Sequence, residues 1–295
     1  MASEATPSAF DAHRARLFGI AYRILGSRAD AEDVVQDCWL KWQAAGAQVE
    51  NPAAWLTTVA TRRAVDVLRA AQRARVDYVG EWLPEPVLTD TAATPEEAVE
   101  LSSSLSTAFL LLLERLSPKE RAAFLLHEIF GSSYADVADT LGVAEPACRK
   151  LVSRAKAHVS APVARYRPPA EQQAQMLAAF QAAVLSGEPR QLATLLAEDV
   201  ALRADGGGKA TAIPTALVGA DVIGFATKGL SRWWAQQGWT MAELNGQLGW
   251  LLTEGATLVA AVTFGYGPDG RIAAIQVMRN PDKLDGLRAA LRPKV

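Results

Sequence analysis

The sequence predicts a multidomain chain in which two all-helical pieces precede an α+β piece. Three observations carry that expectation. Up to about residue 160, apolar residues recur three and four apart, the spacing of one helix face, and Ser, Asn and Pro stand where those helices would begin. Within that half, residues 116 to 160 read as helices around a three-residue turn, the second of them basic. Beyond residue 166 the period shortens toward two, with several strand-like runs and a Gly-Pro-Asp-Gly turn at 267 to 270. A chain of 295 residues has room for two or three domains, and with 50% hydrophobic residues each can bury a core.

The first helix is a stripe of Phe10, Leu17, Phe18, Ala21, Tyr22 and Leu25 that Gly26 ends. Ser27 with Asp30 three residues on opens the next helix, whose polar side carries Asp30, Glu32, Asp33, Gln36 and Asp37. Taken alone, an acidic face of this kind is ordinary solvated surface. Asn51 and Pro52 then cap a third helix with Trp55, Leu56, Val59, Ala60, Ala64, Val67 and Leu68 facing inward. Its outward row is expected to be Thr58, Thr61, Arg62, Arg69, Gln72 and Arg73, small hydroxyls followed by arginines, which suits a phosphate backbone as well as it suits water. The net charge of −2 conceals this segregation: 61 to 76 hold five arginines against Asp66, whereas 77 to 100 hold seven acids and no base.

Ser117, Pro118 and Glu120 read as cap, first helical residue and capping-box acid of a helix that runs to Gly131, and Ser133 with Asp136 repeats the device. Tyr134, Val137, Ala138 and Leu141 form one apolar face, and Gly142 to Ala144 a short turn. From Pro146 the apolar face is Cys148, Leu151, Val152, Ala155 and Val159. Arg149, Lys150, Ser153, Arg154 and Lys156 fall opposite, with no acid expected among them. The pattern is a helix-turn-helix whose basic helix would enter a DNA major groove, or else a plain helical hairpin with a solvated basic face.

The ordered run of Tyr22 to Trp42 (YRILGSRADAEDVVQDCWLKW), Asn51 to Arg69 (NPAAWLTTVATRRAVDVLR) and LSPKERAAFLLHEIFGSSYADVADTLGV resembles the two domains of extracytoplasmic-function sigma factors over roughly residues 9 to 160. The resemblance implies core RNA polymerase and promoter DNA as partners. Asp30, Asp33, Gln36 and Asp37 would dock on the polymerase clamp helices. Asn51, Trp55, Thr58, Arg62, Arg63 and Arg69, with the loop around Gln48, would recognise and open the minus-ten element. Arg149, Lys150, Ser153 and Arg154 would read the minus-thirty-five element. That division is physically sensible, because melted bases need pockets and arginines on the flanking backbone, whereas an intact duplex is read by one helix. The acidic stretch 77 to 100 (DYVGEWLPEPVLTDTAATPEEAVE) lacks apolar periodicity and reads as an extended linker. Its sigma-factor counterpart threads the basic active-site cleft of polymerase, where acidic residues mimic nucleic acid.

After Arg167, Pro168 and Pro169, a helix over 172 to 185 and a shorter one from Pro189 lead into the alternating Val200, Leu202 and Ala204. A helix near 219 to 234 precedes strand runs at 240 to 244, 249 to 253, 257 to 266 and 271 to 278, a long antiparallel meander. This order resembles the SnoaL-like cone fold of ketosteroid-isomerase-type enzymes and nuclear-transport-factor-type binding domains. Asp205, Gly206, Gly207, Gly208 and Lys209 (DGGGK), Asn280, Pro281, Asp282, Lys283 and Leu284 (NPDKL), and Trp82, Leu83, Pro84, Glu85 and Pro86 (WLPEP) resemble the signature strings of sigma factors with a fused SnoaL-like extension. In that subgroup the extension regulates the sigma domains in cis, so no separate anti-sigma factor is required. Three successive glycines weaken packing, so they are expected where backbone must approach another group closely. Asn280 and Pro281 would cap a last helix and fix the directions of Asp282 and Lys283, giving a contact surface for the sigma domains.

Four pieces are therefore expected: a region-2 domain at 1–76, an acidic linker at 77–103, a region-4 helix-turn-helix at 104–166 and a SnoaL-like domain at 167–295. Cys38 and Cys148 sit on apolar faces without metal-ligand spacing and read as core thiols of a cytoplasmic protein. No apolar run suits a signal peptide or a membrane span, and no cofactor motif is present. Isomerase chemistry would need a base and an oxyanion acid pair; Asp205, Tyr266 and Asp269 supply the types, but their positions argue against an enzyme and leave room only for an unidentified small ligand. Two other function classes fit the same pattern: a stand-alone ligand-sensing helix-turn-helix regulator, and a cone-fold enzyme with a DNA-binding front end. The acidic helix separates the regulator from a sigma factor, because a self-sufficient regulator does not need it.

Overall fold

The computed structural model describes residues 6–45, 49–89, 105–159 and 166–291. Its contacts divide the chain into two compact units, residues 1–76 with 112–160 and residues 77–111 with 161–295. The two helical pieces thus share one unit, and the connector goes with the rear unit.

The front unit begins with α1 (Thr6–Leu25), α2 (Arg28–Ala45) and α3 (Pro52–Ala74). Gly26 ends α1 at φ 68°, Ser27 Oγ accepts from Asp30 N at 3.2 Å, and Asn51 Oδ1 accepts from Ala54 N at 3.1 Å, so each boundary forms where its capping residue stands. Leu17, Ile20, Ile24, Val34, Cys38, Leu56, Ala60 and Leu68 are buried, and the three helices pack on one another. Thr61 departs from its expected outward place and is fully buried. The cause is that α3 packs on both sides, against α1 and α2 and against the helices that follow, which widens its buried stripe.

Next come α4 (Thr107–Leu113), which runs across the division between the units, and α5 (Pro118–Phe124), continued by one wider turn at Leu125–Ile129. Then follow α6 (Tyr134–Leu141) and α7 (Glu145–Val159). Both halves of the Ser117 capping box form: Ser117 N donates to Glu120 Oε2 at 3.0 Å and Glu120 N to Ser117 Oγ at 3.4 Å. Gly142, left-handed at φ 61°, closes α6 and sets the angle at which α7 leaves.

In the rear unit, α8 (Ala170–Ser186) and α9 (Pro189–Leu195) lead into β1 (Leu196–Asp205) and the short β2 (Leu217–Val218). After α10 (Ala220–Phe225) and α11 (Ser231–Trp234) the chain builds β3 (Gly238–Leu244), β4 (Gln247–Glu254), β5 (Thr257–Tyr266) and β6 (Ile272–Met278), and it ends on α12 (Pro281–Leu291). The sheet order is β2-β1-β6-β5-β4-β3. The antiparallel meander β3 to β6 matches the sequence reading, but β1 lies parallel to β6, a partner that a local period of two does not encode. One face packs Phe180, Trp234, Trp250, Phe264 and Tyr266 under the helices. The opposite face packs Leu244, Leu251, Leu258, Ala261 and Met278 under α12 and under Leu83 of the connector.

The candidate polymerase and promoter faces and the connector clamp

On α2, Asp33 and Gln36 point to solvent, Asp30 is half-buried, and Asp37 holds Arg63 of α3 in an ion pair at 2.7 Å. A residue expected on DNA is therefore paired with one expected on polymerase, both more than a third exposed, where such a pair is worth little. Arg69 pairs with Asp66 on its own helix at 3.0 Å. Asn51, Trp55 and Thr58 line an open depression of about 590 Å³ with Ala45, Val49, Glu50 and Ala54. The Trp55 ring is set by Trp42, 5.9 Å away between centroids. Gln48 lies outside the described residues.

The same face of α3 is engaged by the helix-turn-helix. Arg62 donates from Nε to the Thr140 carbonyl at 2.7 Å and from Nη2 to the Asp139 carbonyl at 2.9 Å, in the last turn of α6, and the Thr58 and Thr140 hydroxyls lie 3.1 Å apart. A guanidinium on carbonyls at a helix C-terminus is favoured by the helix dipole and by the orphan acceptors there. A deeper contact flanks it: Arg121, buried in α5, donates to the carbonyls of Ile24 and Leu113 and to Glu114, which also pairs with Arg75 at 2.6 Å.

On α7, Arg149, Lys150, Ser153 and Arg154 are exposed. Cys148 is in the core, where burial pushes its thiol up, and burial pushes that of Cys38 to about 12. No group of three potential metal ligands occurs among the described residues. No acid stands among these basic positions, but the helix that carries them has one at its start. The helix starts one residue before Pro146, at Glu145, which pairs with Arg149 one turn on at 2.6 Å. An acid in a first turn is favoured by the dipole, and Pro is still tolerated at the second position, where its missing N–H is not needed.

In the rear unit the three signature strings meet. Asp205, with no exposed surface, takes the Tyr78 hydroxyl at 2.6 Å on Oδ1, and the Leu83 amide at 2.9 Å and Lys283 Nζ at 2.7 Å on Oδ2. Lys283 also donates to the Leu83 carbonyl at 2.7 Å and lies over the Trp82 ring at 4.3 Å. Asn280 donates to the Tyr78 oxygen at 2.9 Å and, through its own Oδ1, accepts from Asp282 N as cap of α12. Burial and then the bond to Asp205 push the Tyr78 phenol up. Gly207 sits at φ 58°, and a Cβ there would overlap the Asn280 amide; one on Gly206 would overlap the Ala210 carbonyl. Gly208 faces Val79 of the connector, and Lys209 pairs with Asp282. Leu284 is in the core beneath, and Glu85 is buried within the string it belongs to. Beyond it, Val87 N bonds Asn245 Oδ1, Asn245 N bonds the Val87 carbonyl, and Leu88 bridges Leu244. Between Leu83, Pro84, Pro86 and the sheet only about 10 Å³ is left. Connector residues 90–103 lie outside the described residues.

Sequence reasoning missed Tyr78 and Glu145 as partners; Tyr78 falls in the linker that lacked periodicity, and Glu145 stands just ahead of the proline taken as the helix start. The isomerase triad does not assemble. Asp205 is level with Met278 and hence with Ala261, whereas Tyr266 is level with Ile272, five residues further along β5, about 17 Å at strand spacing. Asp269 is exposed in its turn and accepts from the Arg271 amide.

Residues 9–74 match the model of Sigma-70 region 2, and residues 106–159 that of Sigma-70, region 4. The chain is 37% identical to the ECF RNA polymerase sigma factor SigJ of Mycobacterium tuberculosis, over 95% of this chain and 93% of that protein. It is 30% identical to the probable ECF RNA polymerase sigma factor SigI of the same species, over 96% of each. The crystal structure of M. tuberculosis SigJ superposes with a TM-score of 0.74 at 34% identity, covering 95% of this chain and 98% of that one, the mixed α/β domain included. These likenesses do not favour the stand-alone regulator. Among the described residues no helix is long and apolar enough to cross a membrane. With both sigma regions in order and relatives that align from end to end, this chain belongs to the ECF RNA polymerase sigma factors.

Proposed function

We propose that the chain attaches to core RNA polymerase in the cytoplasm through Asp30, Asp33, Gln36 and Asp37 and opens the minus-ten element with the Asn51 to Arg69 face and the loop around Gln48. It reads the minus-thirty-five element with Arg149, Lys150, Ser153 and Arg154. The rear unit makes no covalent chemistry, needs no cofactor and regulates these steps in cis by holding the connector, so that no separate anti-sigma factor is required. One observation carries the cis regulation: a fully buried carboxylate, Asp205, binds a connector amide, a connector hydroxyl and Lys283 at once. The connector joins the two sigma regions, so a segment clamped there is not free to enter a polymerase cleft. Neither the exposed pairs on α2 and α3 nor the latch at Arg62 opposes the assignment of those faces, since exposed pairs of this kind exchange at little cost.

Run-off transcription with core polymerase and the full chain tests both halves. Asp33→Lys with Asp37→Lys is expected to abolish co-purification with core, and unchanged co-purification would remove the α2 assignment. Asp282→Ala with Lys283→Ala is expected to change transcript yield without changing the start site chosen. Equal yield would end the claim of regulation by the clamp.

A further inference from the structure

Arg149 sits in the second turn of α7 with 58% of its side chain exposed, yet its guanidinium is not free to rotate. Its centre lies 4.2 Å over the Tyr134 ring, at the first residue of α6. Tyr134 in turn stacks on His127, with centroids 3.8 Å apart and planes 28° from parallel. His127 is tied to the loop before α6, its Nδ1 2.8 Å from the Ser132 carbonyl. From the side, Glu145 Oε1 accepts from Arg149 Nε at 3.1 Å and from Nη2 at 2.6 Å. A ring fixes the plane of a guanidinium, and an acceptor on its edge fixes rotation within that plane. Together they use Nε and one Nη2 proton, so both Nη1 protons and the other Nη2 proton are left for an outside acceptor.

Two side features make this more than packing. Tyr134 is only half-buried and Glu145 half-exposed, so neither is needed to close the core of the unit. An unrestrained arginine on a helix surface would lose rotamer freedom on reading a base, and a side chain already held loses less. We propose that Tyr134 and Glu145 are positioning residues for Arg149. They aim its Nη1 and Nη2 donors at O6 and N7 of one guanine in the upstream promoter element, and so set the base preference at that position. The inference rests on the reading of α7 as the helix that enters the major groove there. His127 serves as the floor of the stack.

The test uses holoenzyme made from core polymerase and the full chain, transcribing a promoter library randomised across the upstream element. Arg149→Ala is expected to flatten the preference at one base pair. Tyr134→Leu and Glu145→Ala should each lower the preference at that same base pair about two- to fivefold, the size expected of an exposed cation and ring, and leave the other positions unchanged. Tyr134→Phe, which keeps the ring, should retain the preference. If Arg149→Ala flattens a position that Tyr134→Leu and Glu145→Ala leave intact, positioning is refuted while the reading of α7 stands. A uniform loss over all positions in either variant would show a merely structural or charge effect and overturn the proposal. If Arg149→Ala changes no position, the reading of α7 fails and the proposal falls with it. Glu145→Ala lies on the solvent side and does not depend on the fold surviving loss of the ring.

Discussion

The latch at Arg62 and the clamp at Asp205 do the same kind of work in opposite surroundings. In the front unit a solvent-exposed guanidinium reaches two backbone carbonyls of α6, and the Thr58 and Thr140 hydroxyls meet beside it. In the rear unit a carboxylate without exposed surface gathers three donors, two from the connector and one from α12. Water reaches the exposed Arg62 side of the first as it breaks, whereas breaking the second strands charge in the core. Under the proposed function, the contact to be exchanged for DNA is the exposed one, and the buried one needs a competing partner of comparable strength. On that comparison the α3 face opens readily, and release of the connector is the guarded step.

The largest effect is expected from Asp205→Ala. Removing the buried carboxylate that Lys283 faces should cost the rear unit about 3 to 5 kcal/mol in urea unfolding, and a loss below about 1 kcal/mol would show that the clamp is no stronger than the latch. Gly207→Ala should cost more than Gly255→Ala. Both positions share φ 58°, which alone is worth about 1 to 2 kcal/mol, but only at Gly207 does a Cβ meet the Asn280 amide. Equal losses would mean that the close approach does not matter. At the latch, a Thr58→Ala and Thr140→Ala double-mutant cycle should give a coupling of only about 0.5 to 1.5 kcal/mol, within the range of a single neutral hydrogen bond. A coupling as large as the Asp205 effect would erase the contrast.

The smallest effect is on pH. Since the Tyr78 phenol is pushed above its ordinary value, its contribution is fully present below about pH 10 and is lost as pH climbs toward the folded value. Unfolding midpoints should therefore fall between about pH 10 and 12 in the native chain more than in Tyr78→Phe. An equal fall in both would remove Tyr78 from the clamp.

What was legible in the sequence was local. Ser117 with Glu120 and Ser133 with Asp136 form the bonds their spacing announces, and Gly142 turns where an apolar face ends. The strands after residue 238 fall where the alternation begins. The misses are long-range or at boundaries. Thr61 is buried because a second layer of helices covers α3, and β1 joins β6 in parallel across more than sixty intervening residues, as the register of Asp205 with Met278 shows. Both depend on partners that periodicity does not name. The glycine triplet was read as a place of close approach, but that its neighbour would be Asn280, with Tyr78 completing the set, lay in no spacing. Resemblance grouped the three strings; only the fold shows that one carboxylate ties them together.

Hydrogen exchange at the Leu83 amide reads release of the connector itself, because that amide is buried and bonded to Asp205. The amide should be protected in the free chain, exposed already in Asp205→Ala, and lose its protection when the native chain binds core polymerase. A transcriptionally active holoenzyme in which Leu83 stays as protected as in the free chain would contradict a connector that must leave its clamp.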